Sequence, residues 1–216
     1  MKVLALDPAN STGYALVDID SNNHADIYGY GFIDINSDLE YSGDKCNELY
    51  DAIEQIIDKH KVEAVCIEDY FYNKKFASGT NMNGAYRTAL HMLCRDKGLH
   101  YEVLSISMWK KYVAGRATPT KDQKKKWGVE PAKKLFMQQA LYEYYGFKFP
   151  NHSLSNKTGK PIMFRYDIVD AVAQAVFYCS FFLKVKSIGM SVKIPNDVEW
   201  KKTPKKLFIY EGESDE

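Results

Sequence analysis

Four acids in this 216-residue chain stand where acids need a reason. Asp7 ends the apolar run "KVLALD", just before the small-residue loop Pro8-Ala9-Asn10-Ser11-Thr12 and Gly13. Glu68 ends a second apolar run, "VEAVCIE", with Asp69 beside it. Asp167 and Asp170 lie three apart in "YDIVDAV", so a helix would present both on one face. Each has a local reading: a turn residue, solvated acids at a strand end, and acids complementing a helix dipole. Their joint chemistry is different. Four clustered carboxylates repel one another unless cations neutralise them. Hard divalent ions such as Mg²⁺ take oxygen ligands. Two such ions about 4 Å apart form a site for in-line attack of water on a phosphodiester. From spacing alone, the local readings and the metal reading both stand.

The elements must bring these acids together. Residues 2–6, 13–20 and 27–35 read as three strands joined by short turns, an antiparallel meander. Residues 37–60 read as a helix capped by Ser37 or Asp38, with Leu49, Ile53, Ile56 and Ile57 on one face. Residues 62–67 form a short continuous apolar strand, 81–97 a helix, and 101–104 a fifth strand. The order predicts an α/β fold: a mixed five-stranded sheet, three strands antiparallel and then parallel, flanked by helices. Further helices are expected at 108–113 and 131–145, a polar loop at 147–165, and a strongly apolar helix at 166–183. If the first and fourth strands are neighbours, Asp7 and Glu68 lie close together. We expect one domain over residues 1–186 and a partly ordered C-terminal extension over 187–216.

Composition narrows the class. Hydrophobic content of 45% and charged content of 26% are ordinary for a globular protein, and the net charge is only +1. The charge is uneven, however. Residues 110–134 hold nine Lys/Arg against Asp122 and Glu130, a local surplus of seven. Such a patch is the footprint of phosphate contact, or else one solvated helix face. Cys46, Cys66, Cys94 and Cys179 form no metal-like pair and read as buried reduced thiols, which suits a cytoplasmic compartment. No apolar run is long enough and uncharged enough to span a membrane, so no membrane partner is expected; the longest holds Asp170 and Gln174. The five histidines do not cluster.

Four motifs carry a resemblance. "LALDPANSTGYALVD" resembles the first motif of RuvC-type Holliday-junction resolvases. "AVCIEDYFYNKKFASGTNMNGAYRTAL" resembles the second, with its strand-end acid, aromatic loop and Gly-x-x-Arg helix (Gly84, Arg87). "WKKYVAGRATPTKDQ" resembles the basic third region, with Lys110 and Lys121 in its lysine places, and "YDIVDAVAQAV" resembles the last motif. The order and approximate spacing hold over residues 1 to about 180. The resemblance implies an RNase H-like fold and a structure-selective endonuclease on branched DNA such as four-way junctions, forks and flaps. It implies that Asp7, Glu68, Asp167 and Asp170 hold two Mg²⁺ ions, with Mn²⁺ substituting, and that Lys121 meets the scissile phosphate. It implies a homodimer, whose C₂ symmetry matches a junction's two equivalent strands. Phe71 takes the place of the family's loop aromatic. Lys74, Lys75, Arg87, Lys110, Lys111, Arg116, Lys124, Lys125 and Lys126 are the expected DNA contacts. Rival readings are an actin-like ATPase or sugar kinase, whose phosphate loop also follows an aspartate, and a non-catalytic branched-DNA-binding protein.

The chain departs from the family pattern in four places. Ala9 stands where glycine is usual, so Asn10 is expected to supply any left-handed turn. Asp69 beside Glu68 is a competing ligand. The 147–165 loop is long, and about 30 residues follow the last helix. The last two point to a phage or viral branch, for which the compartment would be the host cytoplasm.

Overall fold

The computed structural model describes residues 1–36, 38–70, 77–149, 153–154, 161–162, 166–192 and 208–211. Three strands open the chain: β1 (Lys2–Asp7), β2 (Ser11–Ile19) and β3 (His24–Asp34). Helix α1 (Ser42–His60), β4 (Ala64–Glu68), α2 (Ala77–Asp96) and β5 (His100–Leu104) follow. Next come α3 (Ile106–Ala114), α4 (Lys121–Trp127) and α5 (Val129–Tyr145). Two-residue strands β6 (Ser153–Leu154) and β7 (Pro161–Ile162) pair inside the segment expected to be a polar loop. Helix α6 (Tyr166–Phe177) runs into a π-helical turn, Tyr178–Phe182, and strands β8 (Ser187–Met190) and β9 (Phe208–Glu211) close the series.

The main sheet has the order β5-β4-β1-β2-β3-β8, with β9 also on β3. β1, β2 and β3 are antiparallel neighbours, whereas β4 and β5 run parallel to β1. The fold class is the expected one, with two strands more than the five read from sequence. Both extra strands come from the residues expected to form a tail. The outer edge of the eleven-residue β3 would otherwise expose a long row of backbone donors and acceptors. β8 pairs with its first half and β9 with its second. Four-residue strands are too short to show a period-two pattern, which is why the sequence hid them.

The pleat of the sheet divides the core. Leu4, Leu6, Tyr14, Leu16, Val65 and Ile67 pack with α1 and α2, while Val3, Ala5, Ala15 and Cys66 pack with α3, α5 and α6. Alternate side chains of a strand point to opposite faces, so β1 and β4, covered on both sides, are apolar apart from their charged ends. Full burial stabilises each such Leu, Ile or Val by about 1.5–3 kcal/mol. Cys66, Cys94 and Cys179 are buried, and burial pushes each thiol up, Cys94 and Cys179 to about 12. No helix among the described residues is long and apolar enough to cross a membrane.

Helix α1 starts later than its sequence suggests. Its N-cap is Tyr41, whose side chain makes no capping hydrogen bond. Asn36 takes the local backbone into a turn instead. Its side-chain oxygen accepts from the Asp38 N–H at 3.0 Å, and its own N–H donates to Glu48 Oε2 at 2.8 Å. Asp38 is therefore not the cap, and Ser37 lies outside the described residues.

Candidate active site

The pleat that sorts the core also aims the acids. Along β1, Val3 and Ala5 face α6, and Asp7 continues their side. Along β4, Ala64 and Cys66 face the same way, and Glu68 continues theirs. β1 and β4 pair in parallel up to Leu6 and Ile67, so Asp7 and Glu68 end adjacent strands at the same level. Gly13 is the cross-strand partner of Asp7 on β2. A Cβ on Gly13 would lie 1.9 Å from the Asp167 carbonyl oxygen and 2.9 Å from the Ile168 nitrogen. The start of α6 is thus laid directly on the backbone beside Asp7, which only glycine permits. That contact delivers Asp167 and Asp170.

Electrostatics report the result. The half-buried Asp7 carboxyl is pushed well above the usual carboxylate range, by burial first and then by Glu68, Asp170 and Asp167; Lys110 opposes the shift. All four expected acids therefore share one field. Carboxylates cluster against Coulomb repulsion when a cation or proton is there to offset it. Oxygen-only donors suit a hard divalent cation. Among the described residues, no three His, Cys, Asp or Glu side chains already stand at the spacing of a formed metal site. The acids fit such an ion by chemistry and placement, with side-chain adjustment still to be made.

The loop after Asp7 is tied without left-handed residues. The wholly buried Thr12 donates its hydroxyl to the Ala9 carbonyl at 2.8 Å and accepts from the Ala9 N–H at 3.2 Å. Asn10 holds the loop to two neighbours: its side chain accepts from the Tyr86 hydroxyl at 2.8 Å, and its carbonyl from the Ile35 N–H, also at 2.8 Å. Among the described non-glycine residues only Asn23, Lys61 and Lys184 have positive φ. The expected left-handed Asn10 is thus not used, because the Thr12 bridge closes the turn and leaves room for Ala9.

Glu68 and Asp69 part company at the end of β4. Glu68 Oε2 accepts from the Trp109 indole N–H at 3.0 Å and from the Gln174 amide at 3.2 Å. Asp69 turns to the α2 face, where Oδ1 accepts from Arg87 and from the Tyr70 N–H. The Arg87 guanidinium lies 4.5 Å from the centre of the Tyr70 ring, and that ring leaves no more than van der Waals room at Gly84. Arg87, expected at the DNA, is instead held between Asp69 and Tyr70. A cleft of about 220 Å³ opens beside the acids, lined by Asp7, Pro8, Ala9, Glu68, Asp69, Tyr70, Asn83 and Ile106.

The lysines divide as well. Lys110 Nζ lies 3.9 Å from Asp170 Oδ2, with only 18% and 13% of the two side chains exposed. Lys110 thus belongs to the acidic cluster rather than to an outer patch. Lys121 opens α4 after a Thr120–Gln123 capping box, and it is exposed with no ion pair among the described residues. Lys111, Arg116, Lys125 and Lys126 are exposed and Lys124 is half-buried. Phe71, Lys74 and Lys75 lie outside the described residues. Trp127, next to this basic stretch, packs partly against the core. Trp109 and Gln174 were missed as partners of Glu68. The signals existed: a buried indole N–H needs an acceptor, and a lone amide in an apolar helix one turn beyond Asp170 needs a reason.

A family model for crossover junction endodeoxyribonuclease RuvC matches residues 3–129. The crossover junction endodeoxyribonuclease RuvC of Fusobacterium nucleatum is 36% identical over 75 residues, 34% of this chain and 38% of that protein. The protein of that name from Campylobacter lari is 32% identical over 127 residues, 57% of this chain and 76% of that one. The chain spans less than two thirds of several such relatives, 61% for one from Ehrlichia ruminantium. Among solved structures, Thermus thermophilus RuvC in complex with a Holliday junction substrate superimposes with a TM-score of 0.55 at 16% identity. That match covers 82% of this chain and 94% of the other, and speaks to the fold. The family match ends before α6, and in the structure it is the Gly13 contact that brings the start of α6, with Asp167 and Asp170, to Asp7. The match over residues 3–129, more than half of the sequence, places the chain in the RuvC family of crossover junction endodeoxyribonucleases.

Proposed function

We propose that the chain is a divalent-cation-dependent endonuclease that nicks branched DNA, four-way junctions first among them. The observation that carries this reading is the Asp7 environment: one strand-end carboxyl raised by burial and by three converging acids, in a chain of this family. Asp7, Glu68, Asp167 and Asp170 would hold Mg²⁺ or Mn²⁺, two ions in the full site. When bound, the ions supply a polarised water and charge stabilisation at the phosphodiester.

The chain's own residues do the rest. Trp109 and Gln174 hold one oxygen of Glu68. Lys110 offsets part of the negative field at Asp170. Lys121, at the exposed start of α4, reaches the scissile phosphate of bound DNA, and Lys111, Arg116, Lys124, Lys125 and Lys126 contact flanking backbone. Phe71, Lys74 and Lys75 follow β4 in sequence and meet the branch point. Residues 1–186 carry the nuclease site, β8 and β9 of the extension complete the edge of its sheet, and two copies act on the two equivalent strands of a junction. An actin-like ATPase needs a nucleotide cleft between two such domains, and the described residues form one main sheet.

The test is a cleavage assay on labelled four-way, three-way, flap and linear DNAs, with Mg²⁺, with Mn²⁺ and with chelator. Symmetrical nicks near the branch, dependent on the cation and absent from linear duplex, are expected. Equal cutting of linear duplex, or cutting in chelator, would overturn the reading.

A further inference from the structure

The character of the two donors on Glu68 is informative. Both are neutral, both are wholly buried, and both bond the same carboxylate oxygen, from α3 on one side and α6 on the other. Neutral donors orient a carboxylate without cancelling the charge a cation needs. Asp69, one residue on, meets the Arg87 guanidinium. Burying an amide in an apolar helix is costly unless it is bonded, and the Gln174 side-chain oxygen is buried with no hydrogen-bond partner among the described residues. That cost brings little to packing, since a Leu or Met of similar volume would fill the space. It makes sense as the cost of placing one N–H on Glu68.

We infer that Trp109 and Gln174 are positioning residues that fix the Glu68 carboxylate in the orientation that binds the divalent cation, and that they set the cation affinity of the site. This rests on the metal-site reading of the acids. Gln174 lies four residues after Asp170 on α6, one turn further along the same face. One helix thus presents Asp167 and Asp170 as direct ligands and Gln174 as the support of a third. Trp109 precedes Lys110, so α3 likewise supports Glu68 with one residue and meets Asp170 with the next. Outer partners of metal ligands alter metal affinity by 10–100-fold when removed.

The experiment measures Mn²⁺ binding to the full chain by calorimetry, without DNA, beside the thermal unfolding midpoint in chelator. The variants are Trp109→Phe, Gln174→Met and Glu68→Gln, with Met137→Ala as a packing control in the same core. Trp109→Phe and Gln174→Met should each weaken Mn²⁺ binding by about 10–100-fold. In the Glu68→Gln background neither should weaken it further, because their target is gone. Met137→Ala should lower the midpoint and leave affinity unchanged. If Trp109→Phe loses too much stability to assay, Gln174→Met and Gln174→Leu decide the matter. Wild-type affinity in both Gln174 variants, or an undiminished loss in the Glu68→Gln background, would overturn the inference while the metal site stands. No Mn²⁺ binding by the wild-type chain would overturn both.

Discussion

Glu68 and Asp69 are adjacent acids at the end of one strand, yet the molecule treats them as opposites. Glu68 continues the face of Ala64 and Cys66, meets two neutral donors and raises the Asp7 carboxyl. Asp69 continues the face of Val65 and Ile67, meets the Arg87 guanidinium and ties β4 to α2. Composition cannot tell them apart. The period of a strand does, and each neighbourhood then completes the distinction. One acid stands among acids and two neutral donors; the other is paired with a guanidinium. The same contrast recurs among the lysines, where Lys110 is drawn to the acids and Lys121 stands in solvent.

The sharpest break is in catalysis. Glu68→Gln should abolish junction cleavage and leave junction binding close to wild type, since the basic residues still hold the phosphates. Asp69→Asn should keep cleavage within a few-fold. Its loss falls on stability, about 0.2–1 kcal/mol for a partly exposed pair whose side chains are 42% and 24% accessible. Single-turnover cleavage and denaturant unfolding measure the two, and equal loss of cleavage in both variants would erase the distinction.

Gly13→Ala tests what brings α6 to the Glu68 side. The added carbon cannot fit 1.9 Å from a backbone oxygen, so α6 must move away from Asp7. We expect destabilisation on the order of 1–3 kcal/mol together with loss of cleavage. A fully active, equally stable Gly13→Ala would show that the contact is not what assembles the acids.

Lys121→Ala should lower the rate of saturated junction by a factor on the order of 10², as for one charge-stabilising donor. Neutralising Lys124, Lys125 and Lys126 should instead weaken affinity for every DNA and remove about 0.9 per lost contact from the slope of log K against log salt. Normal cleavage of saturated junction by Lys121→Ala would return that lysine to the general phosphate surface.

The smallest effect is on stability against pH. Asp7 has a folded pKa above its unfolded value. The folded state therefore holds the proton more tightly. That stability is fully present below about pH 4 and is lost as pH rises through the folded value. Metal-free wild type should thus lose stability over that window, and Asp7→Asn should lose less. Thermal midpoints in chelator across pH show the difference, and Mg²⁺ should raise the wild-type midpoint more than that of the variant.

Much of this was legible in the sequence because it depends on period and order. The apolar runs ending in Asp7 and Glu68, the three-residue spacing of Asp167 and Asp170, and Gly13 after Thr12 are all local patterns. What escaped needed partners distant in sequence. Arg87 reads as a free cation until Asp69 is seen to turn toward α2. Trp109 and Gln174 read as core until three elements meet at Glu68. β8 and β9 carry too few residues to announce themselves, and only the open edge of β3 calls for them. The start of α1 was misplaced because Asn36 competes for the backbone that a cap would use.

Strand pleat and one glycine contact gather four carboxylates into one cluster, which we propose to be a cation site. Anomalous scattering from crystals soaked in Mn²⁺ tests it most directly. Mn²⁺ should be found bound among Asp7, Glu68, Asp167 and Asp170, and lost in Asp7→Asn. Cation-dependent cleavage by a protein whose Mn²⁺ binds elsewhere, with these four acids empty, would contradict it.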